Sequence, residues 1–237
     1  MRWWGLRLGR VAGIPVRLDL SWFAGLLLFV ALSRDLWAPR VTGAGALALS
    51  LVFTVAFFAS VLAHELSHAL VARVLGVPTA EITLFVFGGV AQILAEPPGA
   101  GGEALMAMAG PLASTVLAGL FALGAALGGG WPSDLLGLLF VGNLVVACFN
   151  LLPGFPLDGG RVARAVVWRL TGRRLLATRI AAWAGRALAG LLVGGGAAAV
   201  VWLHTPRYLL HVALGLFLWR AATQGERAAR IAGAAGG

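Results

Sequence analysis

Long apolar stretches separated by short polar segments dominate this chain. A helix needs about 20 predominantly apolar residues to cross the hydrocarbon core of a bilayer. Stretches that approach or exceed this length lie at residues 20–37, 45–75, 103–127, 135–152, 180–203 and 208–222. The second is long enough to tilt or to project from the membrane. The pattern therefore predicts an all-α polytopic membrane protein with six transmembrane helices.

Between the second and third stretches the pattern changes from helical to strand-like. Within residues 81–94, two short runs rich in β-branched and aromatic residues flank Gly88-Gly89. Such an arrangement predicts a small β-hairpin between helices 2 and 3, with a plain connecting turn as the alternative. Because an open strand edge is not tolerated against lipid, the free edge should face a cavity or the surface.

Composition excludes a soluble globular protein. The chain is 60% hydrophobic and only 11% charged, with a mean hydropathy of +0.92. A soluble domain of 237 residues needs a polar shell that these residues cannot supply. A single cysteine, Cys148, also excludes a disulfide within one chain.

The net charge of +9 is better explained by membrane topology than by nucleic-acid binding. All eighteen basic residues are arginine, and no basic cluster is interleaved with exposed aromatic residues. One set of flanking segments contains Arg2, Arg7, Arg10, Arg17, Arg73, Arg161, Arg164, Arg169, Arg173, Arg174, Arg179, Arg220, Arg227 and Arg230. The opposite loops contain only Arg34, Arg40 and Arg207. This asymmetry predicts a plasma (inner) membrane protein with both termini in the cytoplasm and no nucleic-acid partner.

The second apolar stretch contains His64-Glu65-Leu66-Ser67-His68, which fits the pattern His-Glu-x-x-His. On a helix, positions i and i+4 share a face, so both imidazoles can bind one Zn²⁺ ion. Glu65 is then placed to accept a proton from the attacking water. Chance would produce such a pattern on the order of once in a thousand chains of this composition. Ionisable groups within a span are usually functional, and a polar interhelical cluster is the alternative.

Two histidines do not complete a catalytic zinc site, which usually has three protein ligands. His204 and His211 are predicted near the opposite membrane face. Asp158 follows the fourth stretch on the same side as the end of the second, within a Pro- and Gly-rich segment that cannot be helical throughout. Asp158 is therefore the predicted third ligand. A cap for the amphipathic stretch 159–170 is the alternative, and the two roles are compatible.

The same segment begins with Asn150, whose amide could donate to an oxyanion on the scissile carbonyl or hold the substrate backbone. Asn143 lies two helical turns earlier on the same face. A role in bridging helices is favoured for Asn143.

These motifs resemble those of the site-2 protease family of intramembrane metalloproteases. The resemblance rests on His64–His68, Gly110-Pro111, residues 150–161, Gly13-Ile14-Pro15-Val16 and Gly88-Gly89-Val90, in unbroken order. It implies one membrane-embedded protease domain over residues 1–237, with a catalytic core at about 45–170. It also implies His64, His68 and Asp158 as zinc ligands, Glu65 as the base and Asn150 as a substrate or oxyanion contact.

The resemblance further implies cleavage of a membrane-spanning protein or peptide within the lipid bilayer, such as an anti-sigma factor or a remnant signal peptide. The hairpin, with Gly88 and Gly89, would bind an unwound substrate as an added strand. Residues 73–103 are too few for the PDZ domain of some relatives, and no nucleotide-sensing domain is expected after the sixth span. Regulation by a membrane partner or by substrate trimming is expected instead. A zinc-binding transporter and a catalytically silent scaffold are the alternative functions.

Overall fold

The computed structural model describes residues 5–37 and 41–235, with side chains described as far as residue 231. Arg2 and Arg40, which were counted in the distribution of arginine between the two membrane faces, lie outside the described residues. Two compact units are present. The first comprises the chain up to Glu96 together with Ala109–Cys148, and the second comprises Pro97–Met108 and the chain from Phe149. The predicted single domain stays a prediction.

Seven α-helices occur among the described residues. They are α1 (Leu20–Trp37), α2 (Ala44–Val74), α3 (Gly99–Leu127), α4 (Gly130–Asn150), α5 (Asp158–Thr171), α6 (Arg174–Leu203) and α7 (Leu209–Ala235). Of these, α1, α2, α3, α4 and α6 are long and apolar enough to cross a membrane. Helices α3, α4 and α6 begin four to six residues before the predicted spans. Hydropathy marks only the part of a helix within the hydrocarbon, whereas the helix itself continues into the polar region.

The sixth predicted span is helical as the first part of α7, but α7 is not among these five helices. Its longest apolar run ends at Trp219, and the residues that follow include Arg220, Gln224 and Glu226. These polar residues lower the hydropathy of the helix as a whole.

A four-stranded sheet accompanies the helices in the first unit. Its strands are β1 (Gly5–Val11), β2 (Ile14–Asp19), β3 (Thr79–Phe85) and β4 (Gly88–Ile93), in the order β1-β2-β3-β4. The outer pairs are antiparallel, and β2 runs parallel to β3. The predicted hairpin is therefore present as β3 and β4. Strands β1 and β2 were not predicted, because the arginines among them were attributed to membrane topology.

The turn of the β3–β4 hairpin differs from the predicted one. Phe85 pairs with Gly88, so Val86 and Phe87 form the two-residue turn and Gly88-Gly89 begin β4. The turn between β1 and β2 is formed by Ala12 and Gly13, with φ of 49° and 81°. Two positive φ values are what a tight hairpin turn of this length requires.

The sheet packs on α2 through one face. Burial alternates along β2, where Ile14, Val16 and Leu18 are buried. Ile14 packs with Ala69 of α2, and Leu18 packs with Val61 one helical turn before the histidine motif. Burying an aliphatic side chain contributes about 1.5–3 kcal/mol, so these contacts hold the sheet against the helix segment that carries Glu65.

In the second unit, α5 is fixed through the loop that precedes it. The amide of Phe155 donates to the carbonyl of Ala181 in α6 at 3.0 Å. Gly154 lies so close to Gly185 that a Cβ on Gly154 would be 2.7 Å from the Gly185 Cα. The loop therefore tolerates only glycine at this crossing.

An ion pair also holds α5. Arg164 pairs with Glu103, which is fully buried, and its guanidinium lies 4.9 Å from the centre of the Phe155 ring. Burial lowers the pKa of Arg164 from its ordinary value, although Glu103 opposes this shift. These contacts fix α5, and with it the first helical residue, Asp158.

Candidate metal centre

The predicted histidine pair is formed on α2. His64 and His68 are buried, at 3% and 4% exposure, and their ring centres are 5.0 Å apart. One ring nitrogen of His64 lies within 4.8 Å of a ring nitrogen of His68. The i, i+4 spacing thus places both imidazoles on one buried face of a helix that is apolar enough to span a membrane.

Gly110 of α3 leaves the space that a metal ion would need. A Cβ at this position would collide with Nε2 of both His64 and His68, and would lie 2.7 Å from Cδ2 of His64. Both Nε2 atoms therefore face the same small gap, which Gly110 leaves open because it has no side chain. Two imidazole nitrogens directed at one point are suitable Zn²⁺ ligands, so the residues fit the metal that the motif implies.

Ser114 orients the first of these histidines. Its hydroxyl, fully buried, lies 2.9 Å from Nδ1 of His64. With the proton on Nδ1, His64 donates to Ser114 and keeps the lone pair of Nε2 for a metal. Sequence analysis missed Ser114, although its position one helical turn after Gly110 is a signal that it shares that face of α3.

The side chain of Glu65 extends from α2 to strand β4 of the sheet. Its side chain is partly buried, and Oε2 accepts a hydrogen bond from the backbone amide of Ala91 at 3.1 Å. A Cβ on Gly89 would lie 2.6 Å from Cγ of Glu65. Gly89 therefore leaves room for the Glu65 side chain where β4 passes it.

The two glycines predicted to bind substrate differ in their surroundings. Gly89 faces Glu65, whereas a Cβ on Gly88 would meet open space. Gly88 has a φ of +139°, which L side chains rarely adopt. The role of both in substrate binding stays a prediction.

Asp158 occupies the first turn of α5 and is 8% exposed. The N-cap of α5 is Leu157, with no side-chain hydrogen bond at the cap. Asp158 therefore lies one residue after the N-cap position, within the first turn of the helix. Asn150 is the last residue of α4 and is partly buried. Its catalytic role stays a prediction, as does metal binding by Asp158.

Three further residues were considered from the sequence, namely Asn143, His204 and His211, and their contacts are as follows. The amide of Asn143, fully buried, donates to the carbonyl of Leu139 in its own helix at 2.9 Å. His204 is exposed at the C-cap of α6, and the exposed His211 packs beside Tyr208 at 5.5 Å between ring centres.

Residues 52–132 and 124–194 match Peptidase family M50. The matched residues make up more than half of the chain. The chain belongs to peptidase family M50. Its five apolar helices agree with this family, and the M50 chain is a multi-pass membrane protein.

A solved structure supports the resemblance to site-2 proteases. The M50 chain is similar to a structure titled "Site-2 Protease from Methanocaldococcus jannaschii", with a TM-score of 0.67 and 30% sequence identity. The similarity covers 94% of this chain and 95% of the archaeal one.

Curated relatives carry related names. The M50 chain is 35% identical over 230 residues to "Putative zinc metalloprotease sll0528" of Synechocystis sp., which covers 95% of this chain and 61% of the relative. It is 33% identical over 198 residues to "Zinc metalloprotease MJ0392" of Methanocaldococcus jannaschii, covering 80% of this chain and 53% of the relative. The chain thus spans little more than half the length of these curated relatives.

Proposed function

We propose that this M50 chain is an intramembrane zinc endopeptidase that cleaves the transmembrane segment of a membrane-anchored substrate. The observation that carries the proposal is the shared gap at Gly110, which the Nε2 atoms of His64 and His68 both face. The gap lies beside a helix that is apolar enough to cross a bilayer. A metal bound there would act at membrane depth, where a soluble peptidase has no access.

In this proposal Asp158 is the third ligand, and a water or the substrate takes the fourth position. A carboxylate is costly to bury unless an opposite charge or a metal compensates it, and Asp158 is buried. Zinc, when bound, would supply a Lewis acid that polarises the scissile carbonyl and makes water more acidic.

The side chains around this site have distinct proposed roles. Glu65 accepts the proton of the attacking water, since it is adjacent to His64 in the chain and its side chain is held beside the site by β4. The amide of Asn150 donates to the developing oxyanion or holds the substrate backbone. Gly88 and Gly89 leave β4 without bulky side chains, so that an unwound substrate can lie along it as an added strand.

The proposed membrane topology has six spans, with residues 208–222, which include the first part of α7, as the sixth. The arginine distribution supports cytoplasmic N- and C-termini in the inner membrane and a site nearer the cytoplasmic face. The catalytic core would comprise about residues 45–170 within one protease domain, as the resemblance implies. Anti-sigma factors and remnant signal peptides are candidate substrates, and a second membrane protein would regulate the cleavage.

Metal removal tests this function. The purified chain, reconstituted in lipid vesicles with a single-span reporter peptide, should cleave the reporter. Treatment with a zinc chelator should abolish cleavage, and Zn²⁺ but not Mg²⁺ should restore it, because the two imidazoles are nitrogen ligands. Cleavage that persists in metal-stripped protein would contradict the proposal. Zinc flux into the vesicles without cleavage would favour a transporter.

Substitution of Asp158 by alanine tests the ligand set. Zinc affinity should fall by more than the roughly 10- to 100-fold that loss of an outer-shell partner causes. The measurement is zinc content after dialysis against a competing chelator. Asp35→Asn, at an exposed position of α1, is the matched control and should retain zinc. An Asp158→Ala variant with wild-type zinc affinity would remove Asp158 from the ligand set.

A further inference from the structure

Strand β4 is the last strand of the sheet, so one of its edges has no strand partner among the described residues. The amide just after it, on Leu94, donates to the carbonyl of Pro78 on the β3 side at 2.9 Å. Because amide directions alternate along a strand, the amides of Gly89, Ala91 and Ile93 point to the other side, away from β3. None of the six β4 residues is fully buried.

One of these outward amides already has an acceptor. The Ala91 N–H donates to Oε2 of Glu65 at 3.1 Å, and a hydrogen bond to a carboxylate is stronger than one between neutral groups. The missing side chain of Gly89 allows this approach. The proposed catalytic base therefore occupies the edge along which an extended substrate would pair.

We propose that Glu65 closes the β4 edge at Ala91, and that an extended substrate segment opens it by accepting the Ala91 N–H with one of its own backbone carbonyls. This inference rests on the proposed function and adds a selection step to it. A substrate segment that is still helical uses its carbonyls internally and cannot displace Glu65. The Ala91 amide is thus a specificity determinant for unwound segments, and it releases Glu65 only when such a segment is paired.

Displacement exchanges one hydrogen bond for another, so the Glu65–Ala91 bond opposes peptide binding. Removing the acceptor at residue 65 should therefore tighten the binding of an extended peptide by about threefold to tenfold, the range that one net hydrogen bond provides. Glu65→Ala leaves no acceptor for the Ala91 amide. Glu65→Gln keeps an amide oxygen in the same place, and neither variant has a carboxylate to support cleavage.

The experiment compares these two variants as full chains in lipid nanodiscs. The probe is a fluorescein-labelled eight-residue peptide of alternating valine and threonine, and the measurement is its affinity by fluorescence anisotropy. Glu65→Ala should bind it about threefold to tenfold more tightly than Glu65→Gln. The same peptide N-methylated at every residue has no amide donor on either edge and cannot pair with a strand, so it should show no difference. Equal affinities for the unmethylated peptide, or tighter binding by Glu65→Gln, would overturn the proposal.

A second substitution separates the amide from the extra space that alanine creates. Ala91→Pro removes the outward N–H, and proline is tolerated at such edge positions. In this background the advantage of Glu65→Ala should disappear, and its persistence would overturn the proposal. Amide hydrogen exchange of residues 88–94 measures directly how well the β4 edge is protected. It is measured on the Glu65→Ala and Glu65→Gln variants with Ala91 unchanged and no peptide bound. Exchange should be faster in Glu65→Ala than in Glu65→Gln, and equal rates would contradict closure of the edge.

These measurements do not depend on proteolysis. If the wild-type chain fails to cleave any reporter but Glu65→Ala still binds the peptide more tightly, only the proposed function is lost. If cleavage is robust but the two variants bind equally, only the closure of the edge by Glu65 is lost.

Discussion

Replacement of Glu65 by glutamine should lower cleavage of a single-span substrate by about 10²- to 10⁴-fold, the usual contribution of a general base. Glutamine has nearly the same shape but cannot accept the proton of the attacking water. Its amide oxygen can still accept the Ala91 N–H, so the contact between α2 and β4 should survive. Zinc content should remain at the wild-type level, because Glu65 is not among the proposed ligands. Product formation and bound zinc are measured on the same vesicles.

The matched control is Glu81→Gln. Glu81 lies in β3 and also accepts an amide hydrogen bond, from Nε2 of Gln92 at 3.1 Å, but it is not part of the histidine motif on α2. This variant should cleave at the wild-type rate. Full activity in Glu65→Gln would show that another group accepts the proton and would refute the assignment.

Gly110→Ala should abolish both zinc binding and cleavage. The added methyl group would occupy the gap that both Nε2 atoms face, and its neighbours are ring atoms on a packed helix that cannot withdraw without loss of the site. Zinc affinity should fall by more than about 100-fold, the upper end of what loss of an outer-shell partner causes. Zinc content after dialysis and reporter cleavage measure the two losses.

Gly119→Ala is an unusually close control for this substitution. Gly119 lies on the same helix, α3, and a Cβ there would meet nothing within 4 Å. Alanine is the better helix former, so this variant should be as stable as the wild type or slightly more so. A Gly110→Ala variant that holds one zinc per chain would mean that the metal is not bound in front of the two histidines.

Much of the helical structure could be predicted from the sequence, because the bilayer imposes simple rules on length and hydropathy. Residues 20–37 form α1 with the predicted bounds, and α2 differs from its predicted bounds by one residue at each end. The histidine motif was also predictable, since i and i+4 on a helix share a face whatever the rest of the fold does. Membership of peptidase family M50 confirms the family resemblance that these residues suggested.

The features that the sequence did not reveal depend on contacts between distant residues. Pairing of Val16 with Ile82 joins strands that two long helices separate, and no local pattern in β2 indicates its partner. The hydrogen bond between Glu65 and Ala91 depends on the register of β4. The sequence placed the hairpin turn at Gly88-Gly89 instead of Val86-Phe87, and this turn implies a different register. Ser114 was missed for a similar reason, since a serine within an apolar helix shows its partner only when the neighbouring helix is in place.

The parallel pairing of β2 with β3 has a consequence for biosynthesis. Val16 emerges from the ribosome 66 residues before its partner Ile82, from 82 minus 16. At usual rates of synthesis this delay is roughly 3 to 13 s. During that time α1 and α2 enter the membrane, while β1 and β2 can pair only with each other, and an isolated hairpin is only marginally stable in water. The strand beside Glu65 therefore gains its supporting sheet only after both helices are made, and the nascent chain cannot hold a substrate strand before then.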